Sequence, residues 1–148
     1  MKILMVCLGN ICRSPLAEGI LKDKLIKNNL NAEVDSAGTG AWHIGNPPDQ
    51  RSIEIAHEQG IDISQQKARK IRSIDIDYYD LLLVMDEQNK KDVLKYCHTP
   101  SERQKVKKIM TYCDSNEDVP DPYYGEFGFK NVFKLLDQAC EGVIDSIR

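Results

Sequence analysis

Apolar residues along the chain gather into short blocks separated by amphipathic stretches. The first block, Lys2 to Val6, is apolar at nearly every position, as expected of a parallel strand covered on both faces. Ser14-Pro15 reads as an N-cap and first-turn pair opening a helix. Behind it, Leu16, Ile20, Leu21, Leu25 and Ile26 recur at helical spacing. Ala32 to Ala37 reads as a second strand, completing a strand–helix–strand unit with a right-handed crossover. Gly38 to Pro48 is a breaker-rich loop holding the only tryptophan, Trp42. A helix over Asp49 to Gln59 is capped by Asp49 and stopped by Gly60. Gln65 to Ile71 reads as a turn or short helix, and Lys67, Arg69, Lys70 and Arg72 as a solvated basic face.

The clearest interior strand is Tyr79 to Met85. Asp86 or Glu87 then opens a helix running through Cys97, with Asp86 suited to cap it. Pro100 breaks the pattern. Val106 to Met110 reads as a shorter fourth strand, Thr111 to Tyr124 as a loop containing Pro120 and Pro122, and Phe127 to Ile147 as a long final helix with a broad apolar face. Strands alternating with helices make an α/β, doubly wound domain over residues 1–148. Ligands of such folds bind beyond the carboxyl ends of the strands, at a switch in strand order. The loop after the first strand is therefore the favoured site. The loops after the other strands bring Trp42, Asp86 and Asp121 to the same edge.

Composition narrows the classes. With 148 residues the chain can bury a core without disulfides or a structural metal. A net charge of -3 argues against a general nucleic-acid binder. No apolar run reaches membrane-spanning length and the start lacks a signal-peptide pattern, so a cytoplasmic protein without membrane contact is expected. The five cysteines, Cys7, Cys12, Cys97, Cys113 and Cys140, are odd in number and show no C-x-x-C spacing, which speaks against a disulfide framework. Cys97-His98 with Cys113 lacks a second ligand pair, so no metal site is expected.

The chemistry lies in Cys7-Leu8-Gly9-Asn10-Ile11-Cys12-Arg13-Ser14. A strand feeding a helix through a short loop aims backbone N–H groups at one point, and that point attracts an anion. The amides of Leu8, Gly9, Asn10, Ile11, Cys12, Arg13 and Ser14 can ring the oxygens of a phosphate. Arg13 can grip two of them bidentately, as lysine could not. Gly9 is expected to supply torsions that a side chain would obstruct. Cys7 sits below the ring, where its sulfur can face phosphorus in line. Amides, a helix N-terminus and a guanidinium are the surroundings that favour a thiolate, and the Ser14 hydroxyl adds a donor. Thiolate attack expels an alkoxide or phenolate that needs a proton. Asp121, stiffened between two prolines, is the candidate acid and then the base toward water.

With these residues in view, the chain resembles the low-molecular-weight protein tyrosine phosphatases. The resemblance rests on Val6 to Pro15, on Asp35-Ser36-Ala37-Gly38-Thr39, on Met85-Asp86 with Asn89, and on Asp121-Pro122-Tyr123-Tyr124, in that order along the chain. It implies a flavodoxin-like three-layer sandwich with a four-stranded parallel sheet, and no cofactor. It also implies Cys7 as nucleophile, Arg13 as phosphate clamp and Asp121 as acid and base. Asn10 and Ser36 resemble the pair that holds the loop in shape, and Ser14 the group that stabilises the thiolate. Cys12 resembles a second loop cysteine able to trap an oxidised nucleophile as a disulfide. Trp42, Tyr123 and Tyr124 match an aromatic rim that selects phosphotyrosine over phosphoserine. The implied partners are phosphotyrosine proteins and competing phosphate or other oxyanions, for a monomer or weak dimer.

Three rivals stand beside this reading. An arsenate reductase of the same fold needs relay cysteines, and Cys97 and Cys113 lie on different expected elements. A protein-arginine phosphatase of the family resembles this chain less, carrying Thr where this one has Ile11 and lacking the tyrosine pair. A non-catalytic phosphate- or nucleotide-binding module would need the cradle but neither Cys7 nor Asp121.

Overall fold

A computed structural model describes residues 1–123 and 128–148. Four parallel strands, β1 (Lys2–Cys7), β2 (Glu33–Gly38), β3 (Leu81–Val84) and β4 (Val106–Lys108), form one sheet in the order β2-β1-β3-β4. β1 pairs with both β2 and β3, so Ile3 faces Val34 on one side and Leu81 on the other. The strand order reverses at β1, and its carboxyl end is the switch point where α/β folds place ligands. The expected flavodoxin-like sandwich is the one observed.

The pleat divides the core. Ile3, Met5 and Cys7 join Leu83 and Met85 in a cluster with Leu16, Ile20 and Leu21 of α1 (Arg13–Lys27), Ala56 of α2 (Gln50–Glu58) and Val132, Leu136 and Val143 of α6 (Gly128–Ile147). Leu4, Val6, Leu82 and Val84 face the other way, onto Ile76 of α3 (Ser73–Tyr78) and Val93 of α4 (Glu87–Leu94). This period-two alternation on a strand buried on both faces is why the sequence block is continuously apolar. Cys97 lies in the second cluster and Cys113 packs against the first, so the sheet separates the two thiols.

Several boundaries differ from the pattern-based reading. The final helix begins at Gly128 among the described residues; the expected start at Phe127 and the rim residue Tyr124 lie outside them. The helix expected through Cys97 ends at Leu94. Pro100 starts a short helix rather than only breaking one: α5 (Pro100–Gln104) carries a capping box in which Thr99 and Glu102 serve each other's backbone N–H. β4 stops at Lys108, and a 3-10 helix over Ile109–Cys113 takes part of the expected strand and loop. Residues 65–71 form no helix; Lys70 instead bridges Gly38 at the end of β2. The short α3 follows it, where no helical period is legible over six residues.

Gly142 lets α6 lie close against the 3-10 helix. A Cβ there would fall on the carbonyl oxygen of Tyr112, and backbone cannot rotate away as a side chain would. Gly142→Ala gains helix propensity of about 1 kcal/mol but overpacks by up to about 3 kcal/mol. A net loss of about 2 kcal/mol is expected, seen as a Tm lower by roughly 4–8 °C in calorimetry.

Candidate active site

The loop from Cys7 to Arg13 joins β1 to α1, and its shape is held by Asn10. Asn10 adopts a left-handed backbone, with φ of 58°, a conformation asparagine tolerates better than most residues. Its N–H donates to Cys7 Sγ at 3.3 Å. The Arg69 backbone N–H donates to Asn10 Oδ1 at 3.0 Å, which turns the amide nitrogen toward Ser14 Oγ and Ser36 Oγ, each at 2.9 Å. The left-handed turn expected of Gly9 thus falls on Asn10. Gly9 instead leaves space beside His43: a Cβ there would come within 3.1 Å of the ring, which would have to shift slightly.

This arrangement directs two hydroxyl protons. Ser36 accepts from Asn10 and donates to Glu18 Oε1 at 2.7 Å. Ser14 accepts from Asn10, which leaves its proton for Cys7 Sγ, 3.0 Å away. Ser14 is therefore not the helix cap. The helix starts two residues earlier, at Arg13, with Cys12 in the cap position and no capping side chain. An uncapped helix start leaves its backbone N–H groups open toward the loop, where an anion can take them. Glu18 is buried and is met on its other oxygen by Lys22 Nζ at 2.6 Å.

Arg13 is also buried. Its Nη1 donates to Asp86 Oδ2 at 2.7 Å and to the Val119 carbonyl at 3.0 Å. Among the described residues neither Nε nor Nη2 bonds a protein acceptor, so one edge of the guanidinium is left for an oxyanion. Asp86 caps α4 through Asn89 N–H at 2.7 Å, as its sequence position suggests, and holds the arginine with its second oxygen.

Asp121 reaches this site on the loop after β4. Val119 N–H donates to the Met85 carbonyl at 2.8 Å. Lys108, buried at the end of β4, holds the Asn116 carbonyl at 2.7 Å and Asp118 at 2.7 Å. That lysine keeps the Asp118 carboxyl below the ordinary carboxylate range. Asp121 Oδ1 accepts from Tyr123 N–H at 3.0 Å, a local turn that orients its carboxyl.

Together these elements enclose a cleft of about 120 Å³ lined by Cys7, Arg13 and Asp121, with Ile11, Trp42, His43 and Tyr123 among its walls. Trp42 is 70% and Tyr123 49% exposed, so both stand at the mouth rather than in the core. Burial pushes the Cys12 thiol up to about 11, against the pull of its bond to Tyr123, so it stays protonated at neutral pH.

His43, Glu18, Lys108 and the Arg69 backbone carry no signal in the sequence pattern for the parts they take here. Arg69, read as part of a solvated face, is half-buried; it bonds Asp75 at 3.0 Å and Asp35 at 3.3 Å while its N–H braces Asn10. Gly38 belongs to the same brace: a Cβ there would lie 2.7 Å from the Leu8 carbonyl. Among the described residues no group of three or more metal-ligating side chains converges, and no helix is long and apolar enough to cross a membrane.

Comparison with known proteins agrees with this geometry. The family profile described as low molecular weight phosphotyrosine protein phosphatase matches residues 2–148. The low molecular weight protein-tyrosine-phosphatase YfkJ of Bacillus subtilis is 38% identical, covering 99% of this chain and 95% of that protein. A protein tyrosine phosphatase from Entamoeba histolytica, solved with Hepes in the active site, superposes with a TM-score of 0.93 at 36% identity, covering 99% of this chain and 96% of the other. An arginine phosphatase from Drosophila superposes with a TM-score of 0.92 at 32% identity, covering 100% of this chain and 98% of the other. The chain belongs to the low molecular weight phosphotyrosine protein phosphatase family.

Proposed function

We propose that this protein hydrolyses phosphotyrosine in proteins, and aryl phosphates in general, through a phosphocysteine intermediate. The observation that carries the reading is the convergence of Cys7, Arg13 and Asp121 on one cleft. A thiolate at Cys7 has its charge met by the Asn10 N–H and the Ser14 hydroxyl. Its sulfur forms the S–P bond as the bond from phosphorus to the tyrosyl oxygen breaks. Asp121, protonated, gives its proton to that leaving oxygen. The carboxylate so formed takes a proton from water as the water oxygen attacks phosphorus. The S–P bond breaks, inorganic phosphate forms, and Cys7 returns to the thiolate. Through both steps the open edge of Arg13 and the loop amides hold the equatorial oxygens, where the transition-state charge resides.

Ile11, Trp42 and Tyr123 make the walls apolar and aromatic, which suits a tyrosyl ring. Ile11 gives no acceptor to the N–H groups of a guanidino phosphate. Phosphate and other oxyanions would compete for the cradle. Cys12, a neutral thiol in the same loop, is the partner proposed for a disulfide with oxidised Cys7.

The test is phosphate release from a phosphotyrosine peptide, p-nitrophenyl phosphate and phosphoarginine, alongside arsenate reduction coupled to thioredoxin. The first two substrates are expected to turn over, with phosphoarginine at least about tenfold slower because its polar N–H groups lose their partners. The reverse preference would favour the activity named for the Drosophila relative. Arsenate turnover without aryl phosphate turnover would reject the phosphatase reading.

A further inference from the structure

Asp49, Arg51 and Phe129 cluster around Tyr123 at the mouth of the cleft, and the reaction above gives these three no part. We propose that Asp49 and Arg51 are positioning residues for the general acid, acting through Tyr123; this rests on the phosphatase reading with Asp121 as the acid.

Tyr123 is gripped by three parts of the fold. Its hydroxyl donates to Asp49 Oδ2 at 3.1 Å and accepts from the Cys12 thiol at 3.1 Å. Its ring meets Phe129 of α6 edge-on, with centroids 5.9 Å apart. The Arg51 guanidinium stands 4.8 Å from the Tyr123 ring and 4.6 Å from the Phe129 ring. The same guanidinium forks onto Asp49, Nε to Oδ1 and Nη2 to Oδ2, both at 3.0 Å. Asp49 is itself fixed to the cradle, because its N–H donates to the Ile11 carbonyl at 2.7 Å.

The consequence is a short lever. Two residues before Tyr123 lies Asp121, whose Oδ1 takes the Tyr123 N–H. The start of α2 thus sets where the acid stands relative to the loop that holds the phosphate. The charge states are compatible with this lever. Hydrogen bonding from Arg51 keeps the Asp49 carboxyl below the usual range, so it is a carboxylate. Burial, followed by the bonds to Cys12 and Asp49, pushes the Tyr123 phenol up, so it stays a neutral donor. A proton donor displaced by about 1 Å loses much of its effect.

General acid catalysis matters most when the leaving group is poor. Asp49→Asn keeps the cap, since asparagine caps helices as well as aspartate, but removes the charge that Tyr123 and Arg51 address. Its kcat/KM for phenyl phosphate is expected to fall roughly tenfold, a part of the about 10²–10⁴-fold such an acid supplies. For p-nitrophenyl phosphate, whose phenolate leaves without much help, about twofold is expected. Tyr123→Phe keeps the ring and removes both hydroxyl bonds, and should show the same split. The double variant should be no worse than the more damaged single one. Equal losses on both substrates, no loss on either, or additive losses would overturn the proposal. Asp121→Asn serves as the control on the underlying reading. If it does not widen the gap between the two substrates, Asp121 is not the acid, a failure distinct from that of Asp49.

Discussion

Cys7→Ser is expected to lower turnover of aryl phosphates by roughly 10⁴-fold or more, with the fold and the oxyanion cradle left in place. The surroundings of the sulfur explain both halves of this outcome. Cys7 is 2% exposed at the end of β1, within a core cluster that tolerates a slightly smaller atom. The Asn10 N–H and the Ser14 hydroxyl that reach Sγ can equally reach a serine oxygen, so no buried donor is stranded. The chemistry does not survive the exchange. A serine hydroxyl stays protonated at neutral pH, and among the described residues no histidine or carboxylate bonds this position to remove its proton. In the proposed reaction Asp121 is committed to the leaving oxygen and then to water. The check is phosphate release at saturating p-nitrophenyl phosphate, paired with binding of inorganic phosphate and a thermal scan. The expected result is loss of turnover with binding and Tm retained. Residual activity within tenfold of wild type would reject covalent catalysis by Cys7.

What is legible in the sequence, and what is not, follows from the range of the interactions. β1, the loop and α1 lie within 27 residues, and strand block, breaker and helical period each announce themselves locally. The candidate acid can be placed because α/β topology gathers loop ends on one edge, so Asp121 after β4 has to approach Cys7 after β1. The internal bracing of the loop is another matter. Ser14 reads as a cap because Ser-Pro at a helix start is usually one, whereas here the helix already begins at Arg13 and the Ser14 hydroxyl faces Asn10 and Cys7. The choice of Asn10 for the left-handed turn depends on a backbone N–H of Arg69, 59 residues away. The Val119 carbonyl that accepts from Arg13 lies 106 residues away and carries no side-chain signal at all.

The buried polar groups show the same division. Lys22, Glu18, Ser36 and Asn10 form a continuous chain ending at Ser14 and Cys7. Glu18 is a charged residue one heptad before the buried Leu25 of α1, and it is itself only 4% exposed. Burying a carboxylate costs several kcal/mol, on the order that only paired and hydrogen-bonded ions recover. Its retention makes sense through what it orders: as acceptor of the Ser36 proton, Glu18 leaves the Ser36 oxygen facing the Asn10 amide as an acceptor, beside the brace that the Arg69 N–H supplies. Lys108 plays the corresponding part under the acid loop, where a charge in the β4 pattern signals only an exposed strand position.

Arg13→Lys is the second change expected to act strongly, lowering kcat/KM for aryl phosphates by roughly 10²–10³-fold. The arginine serves two sets of partners at once. Nη1 is spent on Asp86 and the Val119 carbonyl, so the orientation of the guanidinium plane is set before any phosphate arrives. The other edge then meets two phosphate oxygens with parallel N–H bonds. A lysine ammonium is a single point on a flexible stem. It can stay with Asp86, the half-buried carboxylate that needs a cation, or reach toward the phosphate, but it cannot hold both. Loss of two charge-assisted hydrogen bonds at about 1.5–3 kcal/mol each, partly offset by the remaining positive charge, gives a barrier increase of about 3–4 kcal/mol, the stated factor. Both kcat and KM should worsen, because the clamp holds oxygens in the ground state and more tightly in the transition state. Asp86→Asn is the companion measurement. It releases the guanidinium's anchor without removing the fork, and a kcat/KM loss of about tenfold is expected. If Arg13→Lys proves milder than Asp86→Asn, the fork is not the source of the clamp, and the charge at this position matters only for holding Asp86 and Val119 together.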